Sequence, residues 1–138
     1  MRKIRFRGKS YTDNQWHYGF YSYQSANAFA EERHEIIEFS RLGYNCPAET
    51  IGQHTGLNDT DGVPIYEGDI IKVIIHKQGT GSEVTLANSA VYYEGSSFRV
   101  LQDEHPGSWV RLDSFAPYVE IEIIGNVHDN PELLEDDK

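Results

Sequence analysis

The side chains best suited to acid–base chemistry lie beside one glycine. Glu67 and Asp69 flank Gly68, and His54 precedes them in the same glycine-rich part of the chain. Paired carboxylates can act as acid and base when a pocket separates their pKa values, and a histidine can assist them. The hypothesis that follows is a hydrolase-type enzyme that uses Glu67, Asp69 and His54. The plainer interpretation, which we favour, is a turn that begins the strand at Ile70.

A second stretch, His34 to Glu38, resembles the helix of a zinc protease until its last position. That helix needs two histidines on one face to hold the metal, and here the second position is Glu38. Gly79-Thr80-Gly81 lacks the third glycine of a dinucleotide loop. The residues contain no complete catalytic set, so we expect no metal and no cofactor, and we favour a non-enzymatic role over an enzymatic one.

The N-terminal segment concentrates positive charge. Four of its basic residues are candidate phosphate contacts: Arg2, Lys3, Arg5 and Arg7. Together with the rings of Trp16 and Tyr18 they suggest an alternative function, binding of nucleic acid. The net charge of −10 and the pI near 4.9 disfavour this alternative. The interpretation that we favour is a solvated strand face opposite Ile4 and Phe6.

Negative charge dominates the other end of the chain, between residues 120 and 137. Opposite charges at the two ends can attract each other within one chain or between subunits. We therefore expect a homo-oligomer and an unidentified protein partner.

Alternation of apolar and polar residues recurs along the chain, and helical periodicity is almost absent. The sequence thus predicts a mostly β fold with an N-terminal β-hairpin region and short helical turns. We expect strands at 2–8, 16–22, 34–40, 69–76, 82–87, 90–94, 97–102, 108–112 and 119–124. Residues 70–75 are apolar on both faces, which favours a central strand, and Gly95-Ser96 favours a hairpin. Helical turns are predicted at 26–32, after Ser25, and at 130–135, with Asn130 as the N-cap and Pro131 at the first helical position.

A length of 138 residues suits one domain, 1–138. The turn-rich segment 43–68 permits a division into an N-terminal β subdomain, 1–46, and a second part, 47–134, followed by a disordered tail at 135–138. The single cysteine, Cys46, cannot form an internal disulfide, which suits the cytoplasm. No apolar run is long enough to span a bilayer, so we expect no signal peptide and no membrane contact.

Several motifs resemble, in order and spacing, those of the YopX family of phage and prophage proteins. They are TIGQ-x-TGL at 50–57, IYEGDI at 65–70 and GN-x-x-x-NPELL at 125–134, with supporting matches at 2–10, 16–19 and 61–62. The resemblance implies an SH3-like small β-barrel in the second half, residues 47–134, and a phage or prophage protein in the cytoplasm of a bacterial host. It implies no established activity and no catalytic residues.

Within these motifs, one polar and aromatic cluster is a candidate binding surface. Its members are Thr50, Gln53, His54, Thr55, Tyr66, Glu67 and Asp69. Functional side chains are common in such loop-rich segments, but side chains that bond to backbone in a folded core are of the same types. We favour the structural role. The function predicted overall is a non-enzymatic binding or assembly module of a phage or prophage.

Overall fold

A computed structural model describes residues 4–77, 79–101, 109–115 and 119–135. Strands dominate these residues, and the helical parts are short 3₁₀ turns, so the prediction of a mostly β fold is confirmed. No helix in the described part is long and apolar enough to cross a membrane. The chain divides into two compact units, Met1–Gly56 and Leu57–Lys138, which we call the N-terminal unit and the C-terminal unit.

The N-terminal unit is an antiparallel sheet in the spatial order β4-β3-β2-β1-β5. Its strands are β1 (Phe6–Lys9), β2 (Trp16–Gln24), β3 (Arg33–Ile37), β4 (Gly43–Asn45) and β5 (Gly52–Asn58). A 3₁₀ turn at Ala48–Thr50 precedes β5, which continues past the boundary between the units.

Two glycines let chain segments approach closely within this unit. A Cβ atom at Gly19 would lie 2.1 Å from the carbonyl oxygen of Ile37, and one at Gly8 would lie 2.8 Å from the Sγ atom of Cys46. Real Cβ atoms do not tolerate such distances, so β2 and β3 can meet in this way only with glycine at position 19.

The C-terminal unit contains the remaining eight strands of the described residues. They are β6 (Pro64–Tyr66), β7 (Asp69–His76), β8 (Glu83–Thr85), β9 (Ser89–Ala90), β10 (Tyr92–Glu94), β11 (Ser97–Leu101), β12 (Trp109–Arg111) and β13 (Val119–Asn126). One sheet has the order β13-β7-β8, with β9 also paired to β7, and a second has the order β10-β11-β12. β6 follows β5 in the sheet order.

β7 is the central strand of its sheet, as its sequence predicts. It pairs with β13 along one side and with β8 and β9 along the other. Ile70 and Ile71 are fully buried, and Val73 is 3% exposed. The main apolar cluster gathers around this strand: Ile65, Ile71, Val73, Val91, Val100 and Leu112. A strand that is covered on both faces needs apolar residues in succession, which explains the run from Ile70 to Ile75.

The hairpin predicted at Gly95-Ser96 is confirmed. Glu94 pairs with Ser97, and both turn residues have positive φ angles, 57° for Gly95 and 72° for Ser96. Two residues with positive φ form the turn that matches the twist of the flanking strands.

The helix predicted at 26–32 is wrong, because these residues form a loop between β2 and β3. The side chain of Asn27 accepts hydrogen bonds from the backbone N–H groups of Phe29 and Ala30, at 2.8 and 2.9 Å. This local turn competes with the helix for the same donors.

Other boundaries also differ from the predictions. β4, β5 and β6 lie in the segment that the sequence marked as turn-rich, so three strands were missed there. A 3₁₀ turn does occupy Pro131–Leu134, but the Asn130 side chain makes no cap hydrogen bond and accepts one from Asn126 N instead. In the tail predicted to be disordered, residues 136–138 lie outside the described part of the chain.

The SH3-like barrel implied by the family resemblance is not confirmed. Across the residues that the structure describes, the sheets are open, with distinct edge strands, rather than closed into a barrel. Closure would require pairing between the first and last strands of a sheet, and the strand orders run linearly from one edge to the other.

Candidate binding face of the N-terminal unit

Exposed apolar side chains are concentrated in the N-terminal unit. Of the large apolar residues exposed in the described part of the chain, nine belong to this unit: Ile4, Tyr11, Tyr18, Phe20, Tyr21, Tyr23, Phe29, Phe39 and Leu42. The C-terminal unit has three, Val63, Tyr93 and Leu134. Clustered exposed rings mark contact surfaces more often than singly scattered ones, so the N-terminal sheet is the candidate site.

The strand register sorts these side chains onto two faces, because residues paired across antiparallel strands point to the same side. One face, which we call the tyrosine face, carries Phe6, His17, Tyr21, Tyr23, His34 and Tyr44. The other, which we call the arginine face, carries Arg7, Lys9, Trp16, Tyr18, Phe20 and Arg33. In β1 to β4 every lysine and arginine therefore falls on the arginine face.

Four residues of the tyrosine face and one neighbouring carboxylate form a connected group, which we call the tyrosine–histidine patch: Phe6, Tyr21, Tyr23, His34 and Glu32. The ring centroids of Phe6 and Tyr21 are 5.5 Å apart, and those of Tyr23 and His34 are 5.0 Å apart. Tyr21 and His34 have parallel ring planes with centroids 5.9 Å apart, and the Tyr21 hydroxyl is hydrogen-bonded to His34 Nδ1.

Glu32 is oriented by two members of this patch. The Tyr23 hydroxyl donates a 2.9 Å hydrogen bond to Oε2, and His34 Nε2 lies 3.8 Å from Oε1. The hydrogen bond to Glu32 and the charge of Glu32 raise the pKa of Tyr23, while burial followed by the same charge raises the pKa of Tyr21. Both phenols therefore stay neutral and able to donate over the physiological range.

A second group on the tyrosine face holds His17 between two carboxylates. Nε2 lies 2.8 Å from Asp13 Oδ2, Nδ1 lies 3.0 Å from Glu38 Oε1, and the ring stacks on Tyr44 with centroids 3.5 Å apart. A hydrogen bond from Gln15 N and the contact with His17 lower the pKa of Asp13. Burial, followed by the charge of Glu38, raises the pKa of Tyr44.

The arginine face combines guanidinium groups with rings. Arg5 lies over the ring of Phe39 at 5.6 Å, and Phe39 meets Phe20 edge-on at 5.6 Å. Arg7 lies over Trp16 at 4.6 Å and is only 6% exposed. Arg2 and Lys3, the other two candidate phosphate contacts, lie outside the described residues.

Four residues of the predicted polar cluster lie in the N-terminal unit. Thr50 Oγ1 donates to the carbonyl of Pro47 at 2.8 Å and accepts from Lys9 N at 3.1 Å, and Thr50 is buried. His54 N donates to the carbonyl of Arg5 at 2.7 Å. Gln53 pairs with Phe6, and Thr55 follows on the same strand, β5.

The other three residues of that cluster belong to the C-terminal unit and form one turn. Asp69 Oδ2 accepts a 2.8 Å hydrogen bond from Tyr66 N, and Gly68 between them has a φ of 87°. Asp69 is 3% exposed, Tyr66 is 4% exposed, and Glu67 is half-buried. The Asp69 carboxylate thus closes the turn that begins β7, a common use of a buried aspartate.

The zinc-protease resemblance at 34–38 is not supported, because His34 to Ile37 belong to strand β3 and the side chains bind separate partners. His34 contacts Tyr21, and Glu38 contacts His17. Over the part of the chain that is described, no group of three or more histidine, cysteine, aspartate or glutamate side chains could hold a metal.

Sequence reasoning missed Tyr21, Tyr23 and Glu32 as surface candidates. The signal was present in the alternating rings of β2, where Tyr21 and Tyr23 fall on one face and Tyr18 and Phe20 on the other. Such alternation usually indicates a strand with one buried face. Only the structure shows that rings on both faces of β2 are exposed to solvent.

Comparisons with known proteins support a shared fold. A family model described as YopX protein matches residues 5–135. The crystal structure of protein yopX from Bacillus subtilis is 18% identical, with 98% of this chain and 100% of that chain covered and a TM-score of 0.55. Protein EF1440 from Enterococcus faecalis has the same identity and coverage and a TM-score of 0.48. A search of curated proteins gave no match.

Proposed function

This chain belongs to the YopX family, and from that premise we propose that it is a non-enzymatic binding or assembly module whose contact surface is the N-terminal sheet. The proposal includes self-association, a location in the cytoplasm of a bacterial host and an accessory role for a phage or prophage. The proposal also includes an SH3-like packing of neighbouring strands in the C-terminal unit, without closure of these strands into a barrel.

The observation that carries the proposal is the exposure of rings on the arginine face. Phe20 is 56% exposed and Phe39 is 69% exposed, although the two rings contact each other. Burying a phenylalanine side chain stabilises a protein or complex by about 1.5–3 kcal/mol. A pair of adjacent exposed phenylalanines thus offers a free-energy gain to any surface that covers them, and protein contact regions are enriched in such rings.

We propose a second copy of the chain as the occupant of this pair. Arg5 over Phe39 adds a guanidinium at the border of the rings, and arginine beside aromatic residues is typical of the centre of protein interfaces. The acidic surplus of the chain offers carboxylates that such a guanidinium can meet on a second copy.

The nucleic-acid alternative has weaker support. Of the two basic candidates in the described part, Arg7 is nearly buried and lies over Trp16, so its guanidinium has little surface left for a phosphate. The net charge of −10 also repels a polyanion. The hydrolase alternative is weakened by the bond between Asp69 and Tyr66 N, which engages one of its two carboxylates in a turn.

The test is light scattering on the wild-type chain across a wide range of concentrations, beside the double variant Phe20→Ser/Phe39→Ser. We expect the wild type to self-associate and the double variant to dissociate at concentrations at least about tenfold higher, as expected when more than about 1.4 kcal/mol of contact is lost. Tyr93→Ser, at an exposed ring of the C-terminal unit, is the matched control. A wild type that stays monomeric throughout, or a control that dissociates equally, would refute the proposal.

A further inference from the structure

The tyrosine–histidine patch presents an oriented negative charge among aromatic rings. Glu32 is 57% exposed at its side chain, yet the Tyr23 hydroxyl donates a hydrogen bond to one of its oxygens and His34 Nε2 lies 3.8 Å from the other. An ionised carboxylate has about four acceptor positions, so two contacts leave room for further donors. The hydrogen bond from Tyr23 therefore restricts the orientation of the Glu32 carboxylate and leaves acceptor positions for a ligand.

The rings around Glu32 favour a positively charged ligand, as the Glu32 carboxylate does. Tyr23 is 51% exposed and Tyr21 is 36% exposed, so both present part of a ring to solvent. The face of an aromatic ring attracts a cation through its quadrupole, and an ordered carboxylate beside it strengthens that attraction.

The charged side chains on the rest of the tyrosine face also favour a positively charged ligand. Asp13 and Glu38 accompany His17 there, and the strand residues of β1 to β4 place no lysine or arginine on this side. A phosphate or other anion would meet carboxylates on a face where the strands β1 to β4 place no lysine or arginine, whereas a cation meets complementary charge.

From these three observations we propose that the tyrosine–histidine patch binds a lysine- or arginine-bearing segment of a partner protein, with Glu32 receiving the cationic head and Tyr21 and Tyr23 covering its stem. The proposal deepens the binding function proposed above and rests on it, but it concerns the opposite face of the sheet. An arginine fits best, because its planar guanidinium can bond to a carboxylate and stack on a ring at once.

The experiment measures binding of a fluorescent oligoarginine peptide by anisotropy, with the matching citrulline peptide as the uncharged control. We expect saturable binding of the arginine peptide and no binding of the citrulline peptide. Glu32→Gln should weaken binding about tenfold or more, because a hydrogen bond to a charged group is lost. Tyr23→Ala should weaken it roughly threefold to tenfold through loss of the ring.

Matched controls separate this site from general attraction to an acidic protein. Glu94→Gln removes the same charge and Tyr93→Ala removes the same ring from strand β10, where both side chains are exposed. Neither should change the affinity. Tyr23→Phe keeps the ring but removes the hydroxyl that orients Glu32, and we expect an intermediate loss; circular dichroism spectra would show that each variant is folded.

Equal loss in Glu32→Gln and Glu94→Gln would overturn the proposal, as would equal binding of the citrulline peptide. The oligomer test above gives an independent result, since it uses Phe20 and Phe39 on the arginine face. A chain that self-associates but ignores the peptide defeats only the present inference, and a monomer that binds the peptide through Glu32 defeats only self-association. Self-association that Glu32→Gln abolishes would show that a second copy, rather than a different protein, supplies the cation, and would overturn the partner proposed here.

Discussion

The two units differ in whether their large apolar side chains are buried or exposed. The C-terminal unit encloses most of the buried apolar residues of the described chain, including Ile65, Ile70 and Ile71 at 0% exposure, whereas the N-terminal unit encloses only Ile36 and Cys46. The N-terminal unit instead displays its rings on both faces of a sheet. We therefore expect the C-terminal unit to contribute most of the hydrophobic stabilisation, and the exposed rings of the N-terminal unit to form the contact surface proposed above.

The largest expected effect tests this division directly. Ile71→Ala should lower the free energy of unfolding by about 2–5 kcal/mol, because a fully buried isoleucine in the main cluster leaves a cavity. At a concentration where the chain is monomeric, Phe20→Ala should change it by about 1 kcal/mol or less, because a ring that is 56% exposed loses little on truncation. Urea unfolding measures both, and equal losses would contradict the division.

A second comparison asks whether the N-terminal sheet is itself closely packed. Gly19→Ala should lower the free energy of unfolding by about 3 kcal/mol, because the new Cβ would meet the backbone of Ile37 at 2.1 Å. Gly56→Ala is the control: its φ of 85° disfavours alanine by about 1 kcal/mol, but no atom lies within 4 Å of the new Cβ. Thermal unfolding would measure the two losses, and a Gly19→Ala loss no larger than that of Gly56→Ala would show that β2 and β3 separate easily.

The buried thiol of the N-terminal unit gives a pH test. Burial raises the pKa of Cys46 from 9.0 to about 11. Since the folded chain holds its proton to a higher pH than the unfolded chain, the stabilising contribution is complete below pH 9.0 and is lost as the pH rises to about 11. The loss should be about 2–3 kcal/mol.

Two measurements check this expectation. The midpoint of thiolate absorbance in the folded chain should lie near 11, against 9.0 in urea, and Cys46→Ser should flatten the fall in stability over that range. A folded-state midpoint that matches the value in urea would mean that the Cys46 thiol is exposed to water rather than buried.

The smallest effect compares two histidines that each lie between two carboxylates. His17, in the N-terminal unit, has a side chain 12% exposed between Asp13 and Glu38. His76, in the C-terminal unit, is 38% exposed between Glu83 and Glu120. We expect His17→Gln to lower the free energy of unfolding by about 1 kcal/mol and His76→Gln by less, because solvent screens the more exposed contacts.

Urea unfolding at low and high salt would measure this difference. Salt should reduce the His76 contribution more than the His17 contribution, since exposed charges are screened most. The reverse order would mean that solvent exposure does not determine how strongly these contacts stabilise the fold.

How far the residues predict the fold depends on whether the signal is local. β7 was predicted because a short run that is apolar on both faces is typical of a central strand. The hairpin was predicted because Gly95-Ser96 suits a two-residue turn between antiparallel strands. The stretch 26–32 failed because the Asn27 side chain competes for the donors that a helix would need. β5 was missed because its glycines and polar residues are strand-forming only beside β1.

By itself, the amino-acid sequence determined the mostly β class, the family and the central position of β7, since each depends on side-chain type and short spacing. Only the tertiary structure decided that Tyr21, Tyr23, His34 and Glu32 form one patch and that Arg7 is nearly buried. Exposure and proximity between strands depend on register and on what covers each face. Those are long-range properties that the alternation of residues along one strand cannot encode.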